Sequence, residues 1–252
     1  MSVDGRAPGA TAAPAGGETP VLPRTAADRW FAVAAASAML ARLVLAPIDA
    51  PLVRELITRG RTPWPLLDDD PARIALAEEL GRAMVEVGGG SSDDLSSALV
   101  RLDREYERLF RGPGHVVAAP YESVHTTEEH LVFQGPTSQV RDAYAAHGLA
   151  TPFLFREPDD HIGLELHFIA HLAERLATAL EARVGGSGGS DGGAPDAARA
   201  LFAELSEFCD AHLLRFADDV ADAMSDESTE AVYRCVGDLL RVHLHDIRLL
   251  LR

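Results

Sequence analysis

Ionisable side chains are concentrated in the segment EPDDH, residues 157–161, directly before a long apolar helical pattern. Proline and acidic residues are typical of a first helical turn, because proline needs no N–H partner there and carboxylates face the positive end of the helix dipole. A protonated His161 is disfavoured at this position unless carboxylates such as Asp160 and Glu165 surround it. No partner of the catalytic-triad type lies nearby in the sequence, so we expect recognition rather than acid-base or nucleophilic catalysis.

His161 and Glu165 are four residues apart and therefore lie on one face of the predicted helix. Phe168, Ile169 and Leu172 continue that side as an apolar surface. Glu165 is thus expected to be a semi-buried carboxylate, and such groups need a partner, here His161 or an arginine from elsewhere in the fold. A purely structural pairing and a role in ligand recognition both stay open.

A metal site is the main enzymatic alternative, because His167 and His171 are also four residues apart. The segment HFIAH lacks the glutamate of the HExxH zinc motif. His161 and His167 are separated by about 240° around a helix, so one face does not gather all four candidate ligands, including Glu165. A metal-dependent enzyme is therefore the less favoured interpretation.

Helix-forming Ala and Leu dominate the long segments, and apolar residues recur at helical spacing. The first of these segments places Trp30, Val33, Met39, Leu40 and Leu43 in the core. We predict an all-α fold, a single bundle of about nine to eleven helices in residues 25–252. The predicted helices cover residues 28–46, 51–60, 70–88, 91–112, 136–150, 157–186, 195–224 and 228–251.

Three segments interrupt this pattern. Residues 1–24 are rich in Ala, Gly and Pro with few large apolar side chains, which predicts a disordered tail. Residues 112–135 carry Pro and Gly and predict a long, functional or lid-like loop. Residues 185–195 are a Gly/Ser-rich flexible loop by composition.

The composition excludes several classes of protein. The chain of 252 residues carries 39 acidic and 23 basic side chains, a net charge of −16, which argues against binding to DNA or RNA. Its 2 cysteines are too few for a zinc cluster or a disulfide scaffold. The N-terminal stretch lacks the apolar core of a signal peptide, and no apolar run of about 18 residues follows. We therefore expect a cytoplasmic protein without membrane insertion.

Several segments resemble the TorD/DmsD family of redox-enzyme maturation chaperones. YESVH, residues 121–125, is similar to that family's Y-E-S-V-Y segment, and EPDDHIGLELHF resembles its E-P-x-D-H motif with the helix that follows. Between them, Val140, Tyr144, Gly148 and Leu149 match its V-x-x-x-Y-x-x-x-G-L helix. The resemblance is firm over residues 118–182. It returns partly in FCDAHLLRFADDV, where Arg215 stands at a position that is usually Trp.

The resemblance implies a non-enzymatic chaperone that binds a twin-arginine signal peptide and an apo-molybdoenzyme catalytic subunit of the DMSO/TMAO reductase family. Acidic groups beside an apolar helix face complement such a peptide, which joins an arginine-rich head to an apolar stretch. Phe153 and Phe155 are further apolar candidates. The candidate peptide-binding residues are Tyr121, Glu122, Ser123, Glu157, Pro158, Asp160, His161 and Glu165.

Some properties stay open at the level of the sequence. The resemblance is compatible with weak GTP binding, although the chain has no GxxxxGK[ST] loop. No other cofactor is expected. The protein is either a monomer or a homodimer, and a generic helical interaction module is the alternative function.

Overall fold

The computed structural model describes residues 25–60, 64–65, 67–112, 116–151, 157–185 and 193–252. These residues contain ten α-helices and no strand, only an isolated bridge between Tyr121 and His161, so the predicted all-α class is confirmed. The predicted disordered tail, residues 1–24, lies outside the described residues. The helices are α1 (Ala26–Leu45), α2 (Ala50–Thr58), α3 (Pro71–Gly88), α4 (Ser92–Tyr106), α5 (Glu122–Thr126), α6 (Gly135–Ala146), α7 (Ile162–Gly185), α8 (Gly193–Ala211), α9 (Ala217–Glu227) and α10 (Ala231–Leu250).

The α1 and α7 helices form the most extensive helix pair in the fold. A capping box of Thr25 and Asp28 starts α1, and its apolar residues face the core on most sides, as predicted. Gly163 permits the close approach of α7, because a Cβ atom there would overlap the side chain of Leu45. The predicted core residues of α1 are all buried, and they join the buried side chains of α7 in one hydrophobic cluster.

The fourth helix ends in a π-helical turn, Glu107–Arg111, rather than in regular α-helix. The wider turn places Phe110 against Tyr106 with a ring separation of 5.0 Å, and both rings also meet Tyr233 of α10. The Tyr106 hydroxyl donates a hydrogen bond to the carbonyl oxygen of Val44 at 3.2 Å. This aromatic group ties α4 to α1 and α10.

The prediction of one continuous helix over residues 195–224 is wrong. The structure divides this segment into α8 and α9, with a 3-10 turn, Leu213–Arg215, between them. The backbone of His212 leaves helical geometry at φ −127° and ψ −88°, and the His212 side chain turns to a buried carboxylate, Glu122. The segment contains neither Gly nor Pro at this point, so no local signal marks the break.

Two predicted loops are shorter than the sequence suggests. The stretch of residues 112–135 contains α5, and α6 already begins at Gly135. The Gly/Ser-rich loop was predicted over residues 185–195, but α7 extends to Gly185 and α8 begins at Gly193. The intervening residues, 186–192, lie outside the described part of the chain. No helix in the described residues is long and apolar enough to span a membrane.

Candidate functional site

The two motifs singled out in the sequence meet in space at the start of α7. Tyr121 and His161 form an antiparallel bridge, in which the Glu122 amide donates to the Asp160 carbonyl oxygen at 2.9 Å. The Ile162 amide donates to the carbonyl oxygen of Pro120 at 2.7 Å. The short α5 helix is thereby fixed against the first turn of α7.

Asp160 joins the motifs through its side chain and is fully buried. One carboxylate oxygen accepts a hydrogen bond from the Ser123 amide at 2.8 Å, and the other accepts one from the Thr137 hydroxyl at 2.6 Å. Asp160 therefore caps α5 and holds α6 at the same time. Its charge faces protein donors rather than solvent.

The neighbouring Asp159 is also buried and binds a second set of partners. Its carboxylate accepts hydrogen bonds from Arg141 Nε at 2.6 Å and from the Thr151 hydroxyl at 2.7 Å. The Asp159 carbonyl oxygen accepts one from the Tyr144 hydroxyl at 3.1 Å. Tyr144 belongs to the helix that was matched to the family pattern, and the structure gives it this direct contact with the motif.

Glu122, one of the candidate peptide-binding residues, is fully buried. Its carboxylate lies 2.8 Å from His212 Nδ1 and 3.5 Å from Arg215 Nη1. Both partners belong to the break between α8 and α9. Arg215, which replaces the usual tryptophan of the family, supplies a charge to this buried carboxylate.

His161 is a neutral, interior side chain. Burial lowers the pKa of its imidazole to about 3, and the positive charge of Arg111 acts in the same direction. Its Nδ1 atom accepts a hydrogen bond from the Gly163 amide at 3.0 Å, and its ring meets the edge of Tyr121 at 5.2 Å. A neutral ring agrees with the expectation that a protonated His161 is disfavoured at the start of a helix.

The expected partner of Glu165 is also absent from the described residues. Glu165 is fully buried, and neither carboxylate oxygen has a hydrogen-bond partner there. Burial raises the pKa of Glu165 well above its ordinary value of 4.5, and the charges of Glu122 and Asp160 raise it further. Because a buried unpaired carboxylate is strongly disfavoured, this environment favours the protonated form of Glu165.

Among the predicted peptide-binding residues, Tyr121 and Glu157 reach the surface in part. The Tyr121 hydroxyl donates a hydrogen bond to the Glu157 carboxylate. Burial is the main cause that raises the pKa of Tyr121, and this hydrogen bond raises it further. Ser123 and Pro158 are buried. Phe153 and Phe155, the other apolar candidates, lie outside the described residues.

An open cavity of about 630 Å³ lies beside Tyr121. Its walls include Val117, Pro120, Tyr121, Val124, His125 and Val132. We call this cavity the α5 groove. No sequence pattern indicated this cavity, because two of its walls, His130 and Val132, lie in a stretch that was predicted only as a loop.

The rim of the α5 groove exposes three consecutive apolar side chains. Leu131 and Phe133 are 58% and 51% exposed, and Val132 lies between them. Two residues of this turn, His130 and Phe133, have positive φ angles of 52° and 61°, which are unfavourable for side chains other than glycine. The turn is secured by a hydrogen bond of 2.7 Å between His130 Nδ1 and the Val124 carbonyl oxygen. The signal in the sequence was the apolar triplet LVF directly after YESVHTTEEH.

The histidines of the metal alternative line a different cavity, of about 380 Å³. His167 and His171 lie there beside Leu149, Thr151 and Phe168, and burial lowers the pKa of both imidazoles. In the described part of the chain, no group of three or more His, Cys, Asp or Glu side chains is arranged to hold a metal ion. The described geometry therefore gives no support to a metal centre at these histidines.

Comparison with known proteins identifies the family. The model of the family described as nitrate reductase delta subunit matches residues 68–222, which is more than half of the chain. A chaperone protein TorD of Vibrio cholerae serotype O1 is 35% identical over 80 residues, 32% of this chain and 36% of that protein. The probable Tat proofreading chaperone DmsD of Haemophilus influenzae is 36% identical over 73 residues, 29% of this chain and 36% of that protein.

These matches span about a third of the length of the curated relatives. The family match runs from α3 into the first half of α9, and so includes both motifs and the α5 groove. The chain belongs to the nitrate reductase delta subunit family, which is the family of the TorD and DmsD chaperones.

Proposed function

We propose that this protein is a cytoplasmic chaperone for the maturation of a molybdopterin-dependent oxidoreductase. In this proposal it binds the twin-arginine signal peptide of the enzyme, and holds the apoenzyme before cofactor insertion and export. The names of its relatives, chaperone protein TorD and probable Tat proofreading chaperone DmsD, support the class of function. The α5 groove is the observation on which the peptide-binding part of the proposal rests.

The groove suits a peptide that combines apolar and basic residues. Its walls are mainly apolar, and the exposed side chains of residues 131–133 extend the apolar surface. Glu128 and Glu129 are exposed and are separated from this triplet only by His130. The whole chain has a net charge of −16, which favours the approach of a basic peptide. An extended or helical segment with an arginine pair and an apolar stretch complements both properties.

The buried motif residues have a different role in this proposal from the one expected from the sequence. Glu122, Asp160 and Glu165 are enclosed by protein, so we propose that they shape and hold the groove rather than touch the peptide. Of the predicted peptide-binding residues, Tyr121 and Glu157 reach the surface in part, and we propose that they contact the peptide. The hydrogen bonds of Asp160 and the neutral state of His161 favour this positioning role over proton transfer.

Calorimetric titration of the full chain tests the proposal. The ligands are synthetic twin-arginine signal peptides from molybdenum oxidoreductases encoded nearby, each at two salt concentrations. We expect saturable binding that weakens at higher salt, because part of the affinity comes from surface charges. Replacement of both arginines by glutamine should weaken binding. Equal affinity for the arginine and glutamine peptides would contradict recognition of the arginine pair.

Failure of every such peptide to bind would instead favour a generic helical interaction module. A direct test of the apoenzyme part is co-purification with a client catalytic subunit whose signal peptide has been removed. We expect a complex with the cofactor-free subunit, and a weaker one after cofactor loading.

A further inference from the structure

The acidic side chains of α9 differ in what they already bind. Asp218 forms an ion pair with Arg248 of α10. Asp222 forms another with Arg241 of the same helix, at 2.6 Å. Their charges are thus partly neutralised by the protein itself, while Asp219 projects from the same helical turn towards the α5 groove.

Asp219 meets an imidazole instead of a guanidinium. Its carboxylate lies 3.5 Å from His125 Nδ1, and its side chain is 73% exposed. His125 is also a wall of the α5 groove and packs against Phe216 at a ring separation of 5.5 Å. Asp219 therefore stands at the α9 end of the groove, within reach of a ligand that lies in it.

The hydrogen bonds of His125 leave Asp219 with a weak partner. The Nε2 atom of His125 lies 2.8 Å from the carbonyl oxygen of Ala119, which requires a proton on Nε2. In the neutral ring, Nδ1 is then an acceptor and has no proton to donate to Asp219. A peptide guanidinium offers the carboxylate two N–H donors in a planar arrangement and is the better partner.

The basic side chain of the turn between α8 and α9, Arg215, does not neutralise Asp219 in the described structure. The guanidinium of Arg215 points to the buried Glu122, with 3.5 Å between Arg215 Nη1 and Glu122 Oε1. Glu128 and Glu129, which follow α5 in the chain, are also exposed and negatively charged. The exposed carboxylate of Asp219 beside the groove therefore favours a cationic group of the ligand at this end.

We infer that Asp219 receives an arginine side chain of the bound peptide. The peptide then lies in the α5 groove with its arginine end at α9 and its apolar stretch over Val132. This inference rests on the proposed function, since it assigns a subsite to the same peptide. It also moves arginine recognition from the buried motif carboxylates to a residue outside both motifs.

The matched variants Asp219→Asn and Asp226→Asn test the assignment. Both remove one exposed carboxylate from α9, and Asp226 lies two helical turns further from the groove. Each variant is titrated with a twin-arginine peptide and with its glutamine counterpart. We expect Asp219→Asn to weaken binding of the arginine peptide by about two- to fivefold, the range of an exposed ion pair. Asp226→Asn should bind like the parent protein.

The glutamine peptide distinguishes the loss of a direct contact between Asp219 and arginine from a general effect of the lost negative charge on peptide affinity. We expect Asp219→Asn to have no effect on its affinity, because the partner of Asp219 is already missing. Equal affinities of Asp219→Asn and Asp226→Asn for the arginine peptide would overturn the subsite. If the parent protein binds neither peptide, the proposed function fails and the subsite fails with it. If the parent discriminates the peptides but Asp219→Asn does not differ from Asp226→Asn, only the subsite is wrong.

Discussion

Asp160 accepts a hydrogen bond from the backbone amide of Ser123 at 2.8 Å, and this contact joins two motifs that are 37 residues apart. The carboxylate is fully buried and also binds Thr137. The most acidic motif of the chain is therefore a structural connection between α5, α6 and α7. The α5 groove lies beside this connection, and Tyr121 lines it.

Replacement of Asp160 by alanine should destabilise the fold. It leaves the Ser123 amide and the Thr137 hydroxyl without an acceptor in the interior, at a cost of about 2–4 kcal/mol. Urea unfolding of the variant measures this loss. Asp142→Ala removes an exposed carboxylate from α6 and should change the free energy of unfolding by less than about 0.5 kcal/mol. Similar values for both variants would contradict a structural role of Asp160.

Glu165→Gln should change the pH dependence of stability. The folded pKa of Glu165 is raised, so the folded state keeps a proton that the unfolded state releases above pH 4.5. The stability contributed by this proton is present below that pH, and is lost as pH rises towards the folded pKa, at up to about 1.4 kcal/mol per pH unit. Glutamine is neutral at every pH, so the variant does not lose stability in this way as the pH rises.

The free energy of unfolding of Glu165→Gln, relative to the parent, should therefore increase from pH 5 upwards. Urea titrations at several pH values measure the difference. Glu174→Gln, an exposed change on the same helix, should give a curve parallel to the parent. Parallel curves for Glu165→Gln as well would show that Glu165 is not protonated in the folded state.

His243→Gln should reduce the loss of stability in acid. The imidazole of His243 is buried beside the Ser37 hydroxyl at 2.8 Å, and burial lowers its pKa from 6.5 to about 3. Between these values the unfolded state binds a proton that the folded state excludes, so stability falls as pH falls from 6.5 to 3. The variant is less stable at pH 7 but has a shallower slope in this window. His245→Gln, two residues away and exposed, should keep the parent slope.

Gly163→Ala tests the contact between α1 and α7. The added methyl group would overlap the Leu45 side chain, and the adjustment should cost about 1–3 kcal/mol. Gly135→Ala, at the start of α6, has open space around the new methyl group and should be neutral or slightly stabilising. Thermal unfolding of both variants distinguishes them. An unchanged melting temperature for Gly163→Ala would show that Leu45 moves without cost.

Helix positions were predictable where apolar periodicity agreed with end signals, as in α1, where Trp30 and Leu40 are buried as expected. The break between α8 and α9 was not, because its cause is tertiary. His212 turns to Glu122, which is 90 residues away in the sequence. The same limit applies to the site. The spacing of His161 and Glu165 indicated one helix face, but not that each would be buried without the other as a partner.

The α5 groove could not be predicted from the sequence motifs alone. Tyr121 and Val124 were part of a recognised motif, while Val132 comes from a turn with no motif of its own. Only the folded chain brings these walls together around one cavity. Motif residues therefore indicated part of the groove wall, and the fold adds Val132 to it.

The most direct test of the account compares Val132→Asp with Val100→Asp in the titration with a twin-arginine peptide. Both valines are exposed, at 37% and 51%, but Val132 lines the groove and Val100 lies on α4. An aspartate at position 132 places a charge where the apolar stretch should dock, so we expect a loss of affinity of tenfold or more, about 1.4 kcal/mol. Val100→Asp should retain the parent affinity. If both variants bind the peptide as tightly as the parent does, the peptide does not occupy the α5 groove.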